Sequence, residues 1–198
     1  NKVLRTEKKD YVIASDTDSI YLNLGDLVKT VYKGREKTDK SVVSFLNKIC
    51  EVELEKYISS SYEALAKYVN AYEQKMIMKR ENIASTGIWT AKKRYMLNVW
   101  DSEGVRYHEP KLKMMGIEAV KSSTPMPCRN AIKDAIKIMM DGTENDLVSF
   151  IDSFRKTFDN LPPEDIAFPR SVNGLRKYKA STTVYTKGTP LHVRGTLL

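Results

Sequence analysis

Two short apolar runs near the start of the chain flank an acidic bend. Residues 11–14 and 19–22 are of strand type, and Asp16 and Asp18 lie between them. Because strand residues two apart point to the same side, this spacing predicts a hairpin whose two carboxylates face one cleft. The apolar residues that we expect to pack behind the acids are Val12, Ile13, Ile20 and Leu22.

A long stretch with apolar residues mostly three and four positions apart follows. With Glu and Lys between them, these positions predict a core-packing helix of about 30 residues, laid across the back of a sheet. The apolar positions are Val42, Leu46, Ile49, Leu54, Tyr57, Ile58, Tyr62, Leu65, Val69 and Tyr72. The preceding residues 25–39 are polar, and Lys33-Gly34-Arg35 predicts a loop.

Between Lys75 and Leu112 the apolar runs become short and rich in β-branched and aromatic residues, a pattern typical of strands. Gly87 interrupts these runs, and so does the turn at residues 101–104, whose Gly104 suits a left-handed backbone. We predict three or four antiparallel strands here. Together with the first hairpin they would form the sheet that the long helix backs.

From Thr124 onward the pattern is helical again. Thr124 is the predicted N-cap, Pro125 the first helical residue and Gly142 the end of the first of two helices. The second helix ends before the Pro162-Pro163 pair. Residues 169–198 are basic and weakly periodic. The predicted fold class is therefore α+β, an antiparallel sheet backed by a long helix and followed by a mostly helical part.

The 198 residues, 41% of them hydrophobic, suffice for a core, and we place a domain boundary between residues 1–122 and 123–198. No apolar stretch approaches the ~20 residues of a membrane span, and the first residues are polar rather than signal-like. These observations favour a cytoplasmic protein with no membrane partner. Cys50 and Cys128 are too few for a disulfide framework and are interpreted as helix-packing thiols.

The chain is basic, with 33 Lys and Arg against 25 Asp and Glu, a net charge of +8 and a pI near 9.3. This balance favours a polyanionic partner such as nucleic acid. A cluster of cations and a phenol is expected at the head of a strand, with Lys93 and Tyr95 on one face and Lys92 and Arg94 on the other. These residues could contact a nucleic-acid backbone. A solvated charge run on an edge strand is the alternative.

Two further basic segments offer candidate contacts. Gly116 permits a close backbone approach, and Lys121 follows it in the lysine-containing segment 110–125. His192 and Arg194 lie in the segment 188–195, for which we predict turns, and could contact phosphates. A structural role for His192 is the alternative.

The acidic bend needs a compensating charge, because two carboxylates on a short tip are unfavourable without a cation or hydrogen-bond donors. Hard oxygen ligands suit Mg²⁺, which proteins hold with one or two carboxylates plus substrate phosphates. Asp16 and Asp18 are therefore candidate magnesium ligands. The alternative is an ordinary Asp-rich turn.

The order of these motifs resembles the C-terminal part of family B DNA polymerases, of the type found in T-even-like bacteriophages. The motifs that carry the resemblance are DTDSIYL, TAKKRYMLNVW, PKLKMMGIEAVKSSTP and GTPLHVRG. The resemblance implies that residues 1–122 are the C-terminal portion of the palm domain and that residues 123–198 are the thumb.

It also implies roles for single residues. Asp16 and Asp18 match the carboxylates of the third polymerase motif, which hold Mg²⁺ in a two-metal mechanism, with Asp18 as the surer ligand. Lys93 and Tyr95 match the K-x-Y element that contacts the primer end of the duplex. The other candidate DNA contacts are Lys92, Arg94, Gly116, Lys121, His192 and Arg194.

The chain departs from the family in two respects. The family commonly has Tyr-Gly before its DTDS, where this chain has Ala14 and Ser15. In the family another catalytic aspartate, the fingers and an exonuclease domain lie upstream of DTDS. We therefore expect a replicative polymerase fragment that uses primer-template DNA and deoxynucleoside triphosphates only with an upstream half carrying the exonuclease, remaining palm and fingers, and that is inactive alone.

Two alternatives differ in function. A non-catalytic duplex-DNA-binding module would use the basic residues and leave the two acids vestigial. A nucleotide-sugar transferase with a D-x-D metal site would be expected to carry a Rossmann-like βαβ pattern. The sequence shows no such pattern, which disfavours the transferase.

Overall fold

The structure is a computed structural model that describes residues 9–179 and 184–198. The polar N-terminal residues 1–8 and residues 180–183 of the basic segment lie outside the described residues. The chain divides into two compact units, one ending at Met115 and one beginning at Gly116. Antiparallel sheets and helices together confirm the α+β class. Within the described ranges no helix combines the length and apolar character that a membrane crossing requires.

The first hairpin consists of β1 (Val12–Asp16) and β2 (Ser19–Leu22) and forms its own two-stranded sheet instead of joining the larger one. The prediction that its apolar residues pack behind the acids is wrong for Val12, Ile13 and Ile20, which are 45%, 49% and 43% exposed. The reason is that a hairpin paired only with itself needs a further layer to cover its faces, and these side chains lack one within the described residues.

A short helix, α1 (Gly25–Val31), occupies part of the region predicted as a loop. It buries only Val28 and has no side-chain cap at its start, so neither apolar periodicity nor a capping residue predicts this helix from the sequence. The predicted loop at Lys33-Gly34-Arg35 is confirmed, and its Gly34 has a φ of 74°.

The predicted long helix is confirmed as three consecutive segments: α2 (Asp39–Ile49), a π-helical turn (Cys50–Leu54) and α3 (Glu55–Tyr68). Thr38 and Ser41 cap its start reciprocally. The π turn coincides with the five-residue gap between the apolar Ile49 and Leu54. Because a π turn accommodates one extra residue, the apolar stripe continues on the same side of the helix.

The prediction that the whole helix packs against the core, in contrast, is wrong. Val43 is buried in α2, but none of the residues of α3, all of which are described, is buried. Leu65 and Tyr68 are 44% and 88% exposed. The apolar stripe of α3 is therefore only partly covered within the described part of the first unit.

The larger sheet has three antiparallel strands in the order β3 (Asn82–Ala91), β4 (Arg94–Ser102) and β5 (Val105–Met115). This confirms the predicted strands. The central strand supplies much of the core of this unit through Met96, Leu97 and Val99. Gly104, with a φ of 89°, lies in the β4–β5 turn as predicted.

A buried ionic network joins the long helix to this sheet. Asp101 on β4 is 1% exposed and accepts a hydrogen bond from Arg80, while the Nε of Arg106 lies 3.5 Å from its second oxygen. Arg80 also donates to Asn47 Oδ1 on α2 at 2.6 and 3.1 Å, and Arg106 donates to Ser44 on α2 at 2.8 Å. The helix therefore backs the sheet, as predicted, through polar contacts as well as packing.

Gly87 does not interrupt a strand, as its residue type had suggested, but lies within β3. The reason is steric, because a Cβ atom there would lie 2.6 Å from Cζ3 of Trp89 and 2.8 Å from Cδ2 of Leu97. The missing side chain thus leaves room for the Trp89 ring.

Replacement of Gly87 with alanine is expected to lower the free energy of unfolding by about 1–3 kcal/mol, because the Trp89 ring and Leu97 must move. Denaturant unfolding measures this difference. In a Trp89→Leu background the same Gly87→Ala change should be less destabilising, since the ring is gone. An equal loss in both backgrounds would contradict the steric explanation.

The second unit is mostly helical. Its described elements are a 3₁₀ turn (Glu118–Val120), α4 (Met126–Asp141), α5 (Glu144–Phe158), α6 (Pro163–Ile166), a 3₁₀ turn (Leu175–Lys177) and α7 (Leu191–Leu197). The expected end of α4 at Gly142 is confirmed. Thr124 is not its N-cap, because Pro125 has an extended ψ of 145° and itself occupies that position. The palm and thumb assignment of residues 1–122 and 123–198 stays a prediction.

Candidate functional site

The two acids lie at the tip of the first hairpin. Asp16 is the last residue of β1 and pairs with Ser19 across a turn formed by Thr17 and Asp18. Strand alternation therefore does not place Asp18, which is outside the strand, and that part of the prediction is wrong. Thr17 has a φ of 56°, an uncommon value for a β-branched residue. The turn thus holds the acids on a strained backbone.

The two carboxylates have different surroundings. Asp16 is half-buried, and one of its oxygens accepts a hydrogen bond from Thr17 Oγ1 at 3.1 Å. Asp18 is exposed, and within the described residues it has neither a hydrogen-bond nor an ion-pair partner. The Asp18 carboxylate is therefore free to bind a ligand. No cluster of three or more potential metal-ligating His, Cys, Asp or Glu side chains occurs in residues 9–179 and 184–198.

The basic cluster also differs from the prediction. Lys92 and Lys93 form the tight turn between β3 and β4, and Lys93 has a left-handed φ of 60°. The strand begins at Arg94, so the alternation that was expected to separate Lys93 and Tyr95 from Lys92 and Arg94 does not extend across the turn. Both lysines are exposed at the end of the sheet, where they are accessible to a polyanion.

The hairpin and the larger sheet meet through aromatic rings. Tyr21 on β2 contacts Tyr95 on β4 and Trp89 on β3, with ring centroids 5.4 and 5.3 Å away. Tyr95 and Trp89 are cross-strand neighbours whose centroids are 6.1 Å apart. The structure therefore brings Tyr95 together with the hairpin that carries Asp16 and Asp18.

The electrostatic environment keeps Tyr95 protonated. Burial raises the pKa of Tyr95 well above its usual range, and a side-chain hydrogen bond with Tyr21 raises it further. The negative charges of Glu81 and Asp16 act in the same direction. The Tyr95 hydroxyl is thus a neutral group held beside the acidic hairpin.

Gly116 and Lys121 belong to the second unit. Gly116 follows β5 with a left-handed φ of 66°, which glycine adopts without strain. The Lys121 ammonium lies 3.2 Å from Glu118 Oε1, and both side chains are about half exposed. This surface pair would exchange readily for a contact with a phosphate, because exposed ion pairs contribute little.

His192 and Arg194 lie on α7 instead of the predicted turns. Pro190 and Gly195, which suggested turns, are the N-cap and an interior residue of this helix. Arg194 Nε donates to the buried Thr189 carbonyl at 2.8 Å, and its guanidinium carbon lies 5.2 Å from the centroid of the Tyr185 ring. Arg194 therefore stabilises the local fold, whereas His192 is exposed.

Tyr21 and Trp89 were not singled out in the sequence. The tight turn at Lys92-Lys93 would by itself place Thr90 opposite Tyr95, and the register shift between Trp89 and Ala91 brings Trp89 there instead, so the sequence carried no signal for this pair. The contact of Tyr21 with both rings depends on how the hairpin packs on the larger sheet, which no local pattern encodes.

Comparison with known proteins agrees with the resemblance that the motifs indicate. No protein-family model matches the chain. Over its whole length it is 38% identical to the DNA-directed DNA polymerase of Escherichia phage RB69 and 34% identical to that of Enterobacteria phage T4. The chain spans 23% of the length of each of these relatives. The resemblance inferred from the motifs is confirmed: the chain is related, from end to end, to a segment of the T4-like phage DNA polymerases.

Proposed function

We propose that this chain is the C-terminal palm and thumb portion of a replicative DNA-directed DNA polymerase, and that it transfers nucleotides only together with the upstream portion. In this assignment Asp16 and Asp18 are the catalytic acids. Lys93 and Tyr95 contact the primer end, and Lys92 and Arg94 contact neighbouring phosphates. The upstream portion carries the exonuclease, the fingers and the remaining palm, and supplies a third carboxylate.

The observation that supports the proposal most is the packing of Tyr95 against the acidic hairpin through Tyr21. A polymerase must hold the 3′ end of the primer next to its catalytic acids, because correct placement of the reacting groups supplies much of the rate. A primer-contacting strand that touches the acidic hairpin meets that requirement. An isolated Asp-rich turn has no need of such a contact.

The donor set at the hairpin tip fits magnesium. Asp18 offers an exposed carboxylate with no partner among the described residues, and Asp16 keeps one oxygen that makes no described hydrogen bond. Both would hold Mg²⁺ with hard oxygen ligands. When bound, the metal would supply charge stabilisation for the attacking and leaving oxygens of the transfer. The hairpin backbone would fix the position of both carboxylates.

Primer-template DNA and deoxynucleoside triphosphates are the proposed substrates. The net charge of +8 favours binding to the phosphate backbone of a duplex. In the second unit, Gly116, Lys121, His192 and Arg194 are the proposed duplex contacts. Arg194 would act mainly by holding α7, since its guanidinium already bonds Thr189.

The test compares the isolated chain with a chimera in which the chain replaces the matching segment of the RB69 polymerase. We expect the isolated chain to bind a primer-template weakly, with an affinity that falls steeply as salt rises, and not to extend the primer. The chimera should extend it in the presence of Mg²⁺. Fluorescence anisotropy measures binding, and gel-resolved extension of a labelled primer measures activity.

Two outcomes would contradict the proposal. Extension by the isolated chain would show that no upstream portion is needed. Salt-dependent duplex binding by a folded chimera that does not extend the primer would favour the non-catalytic DNA-binding module. A chimera that carries the original RB69 segment serves as the positive control.

A further inference from the structure

Three aromatic rings from three strands form one cluster between the hairpin and the larger sheet, which we call the aromatic clamp: Tyr21, Trp89 and Tyr95. Tyr21 meets the other two rings edge on, at interplanar angles of 72° and 61°, while Trp89 and Tyr95 lie closer to parallel at 28°. Such edge-to-face and offset contacts are the favourable geometries for aromatic pairs.

Trp89 is held in the clamp by packing. Its ring fills the space that Gly87 leaves open and lies beside the buried Leu97. Its indole N–H is buried and has no hydrogen-bond partner in the described part of the chain. No hydrogen bond therefore orients this ring, and its position depends on its neighbours in the clamp and on the absence of a side chain at residue 87.

Tyr95 is held by both of its neighbours. Trp89 lies directly opposite it on β3, and the Tyr21 ring packs against it edge to face, with the ring centroids 5.4 Å apart. Tyr21 lies on the strand that leaves the acidic turn, three residues after Asp18. The clamp thus connects the strand that follows the acidic turn to the ring of Tyr95.

We propose that Tyr21 and Trp89 are positioning residues that fix the Tyr95 ring relative to Asp16 and Asp18, so that the packing of the three rings sets the place of the primer end. This rests on the proposed function, in which Tyr95 contacts the primer. Neither Tyr21 nor Trp89 needs to touch DNA. Their contribution is to remove conformational freedom from a group that does.

The test uses the full 198-residue chain and a fluorescein-labelled duplex with a recessed 3′ end, with a blunt duplex of the same length as the matched control. Tyr21→Leu removes the ring and keeps an apolar side chain, and we expect it to weaken binding to the recessed end about fivefold, the effect of losing one aromatic pair. Tyr95→Leu, which removes the ring that the other two hold, should weaken binding at least as much. Binding to the blunt duplex should not change.

The double variant separates positioning from independent contacts. Because both substitutions break the same ring contact, Tyr21→Leu with Tyr95→Leu should bind no more weakly than Tyr95→Leu alone. Trp89→Leu should weaken recessed-end binding in the same selective way. Selective loss for the recessed end excludes general unfolding, which would weaken binding to both duplexes.

Three results would overturn the inference. Additive losses in the double variant would mean that the two rings act independently. Wild-type binding by Tyr21→Leu, with weakened binding by Tyr95→Leu, would leave Tyr95 as a primer contact and remove Tyr21 as its positioning residue. Wild-type binding by both single variants would mean that the proposed primer contact of Tyr95 itself is wrong.

Discussion

Replacement of Asp101 with alanine is expected to lower the free energy of unfolding of the first unit by about 3–5 kcal/mol. The reason is the unpaired positive charge that remains on Arg80. The Arg80 side chain is only 10% exposed and donates to Asp101, so the alanine variant leaves a buried guanidinium without its carboxylate. The backbone N–H of Gly104 also loses an acceptor, 3.0 Å away in the native protein.

Denaturant unfolding followed by tryptophan fluorescence measures this effect selectively, because both tryptophans, Trp89 and Trp100, lie in the first unit. The matched control is Glu73→Ala. The Glu73 carboxylate lies 3.1 Å from the Lys75 ammonium, but the two side chains are 58% and 79% exposed. An exposed pair of this kind contributes about 0–1 kcal/mol.

Two further variants resolve the network. Asp101→Asn keeps the shape and an acceptor for Gly104, so its loss should be smaller than that of Asp101→Ala. Arg106→Ala should be milder still, since the Arg106 side chain is 47% exposed and 3.5 Å from the carboxylate. A loss from Asp101→Ala no larger than that from Glu73→Ala would mean that water, and not Asp101, compensates the charge of Arg80.

The helix and the sheet that this network joins could be predicted from the sequence, whereas the network itself could not. The apolar spacing from Val42 to Tyr72 and the β-type runs after Lys75 predicted the long helix and the three-stranded sheet, because both patterns follow from backbone periodicity. The pairing of Arg80 with Asp101 joins residues far apart in the chain. No local pattern distinguishes these two charged residues from the many that face solvent.

The errors have a common physical origin. Periodicity reports which side of an element is apolar, but it does not report whether another layer covers that side. Tyr57 and Leu65 on α3 and the residues Val12, Ile13 and Ile20 are apolar at the predicted positions and yet exposed. In the proposed function, the upstream portion of the polymerase supplies layers that the segment itself does not contain.

The candidate site was predictable in its residue types and less so in its geometry. The motifs around Asp16, Asp18, Lys93 and Tyr95 carried the resemblance to polymerases. Alternation failed at Asp18 and Lys93, because both residues lie in tight turns where the backbone leaves the strand conformation. The contact of Tyr21 with Tyr95 arises from the packing of two sheets and required the structure.

In the chimera with the RB69 polymerase, Asp18→Asn is expected to reduce primer extension at least about 1,000-fold. The amide keeps the size of the side chain but removes the charge that would hold magnesium. Asp16→Asn should also reduce extension, though less severely. Asp18 is exposed and without a described partner, whereas Asp16 shares one oxygen with Thr17. Single-turnover extension of a labelled primer gives both rates.

Binding of primer-template DNA separates a catalytic loss from a structural one. Removal of a negative charge near the DNA cannot weaken phosphate contacts, so without magnesium Asp18→Asn should bind the primer-template at least as tightly as the parent chimera. Asp141→Asn, which changes an exposed acid at the end of α4, is the matched control and should extend normally. Unchanged extension by Asp18→Asn would place the chemistry elsewhere, since a carboxamide in that turn retains the shape but cannot supply the charge that two-metal nucleotidyl transfer requires.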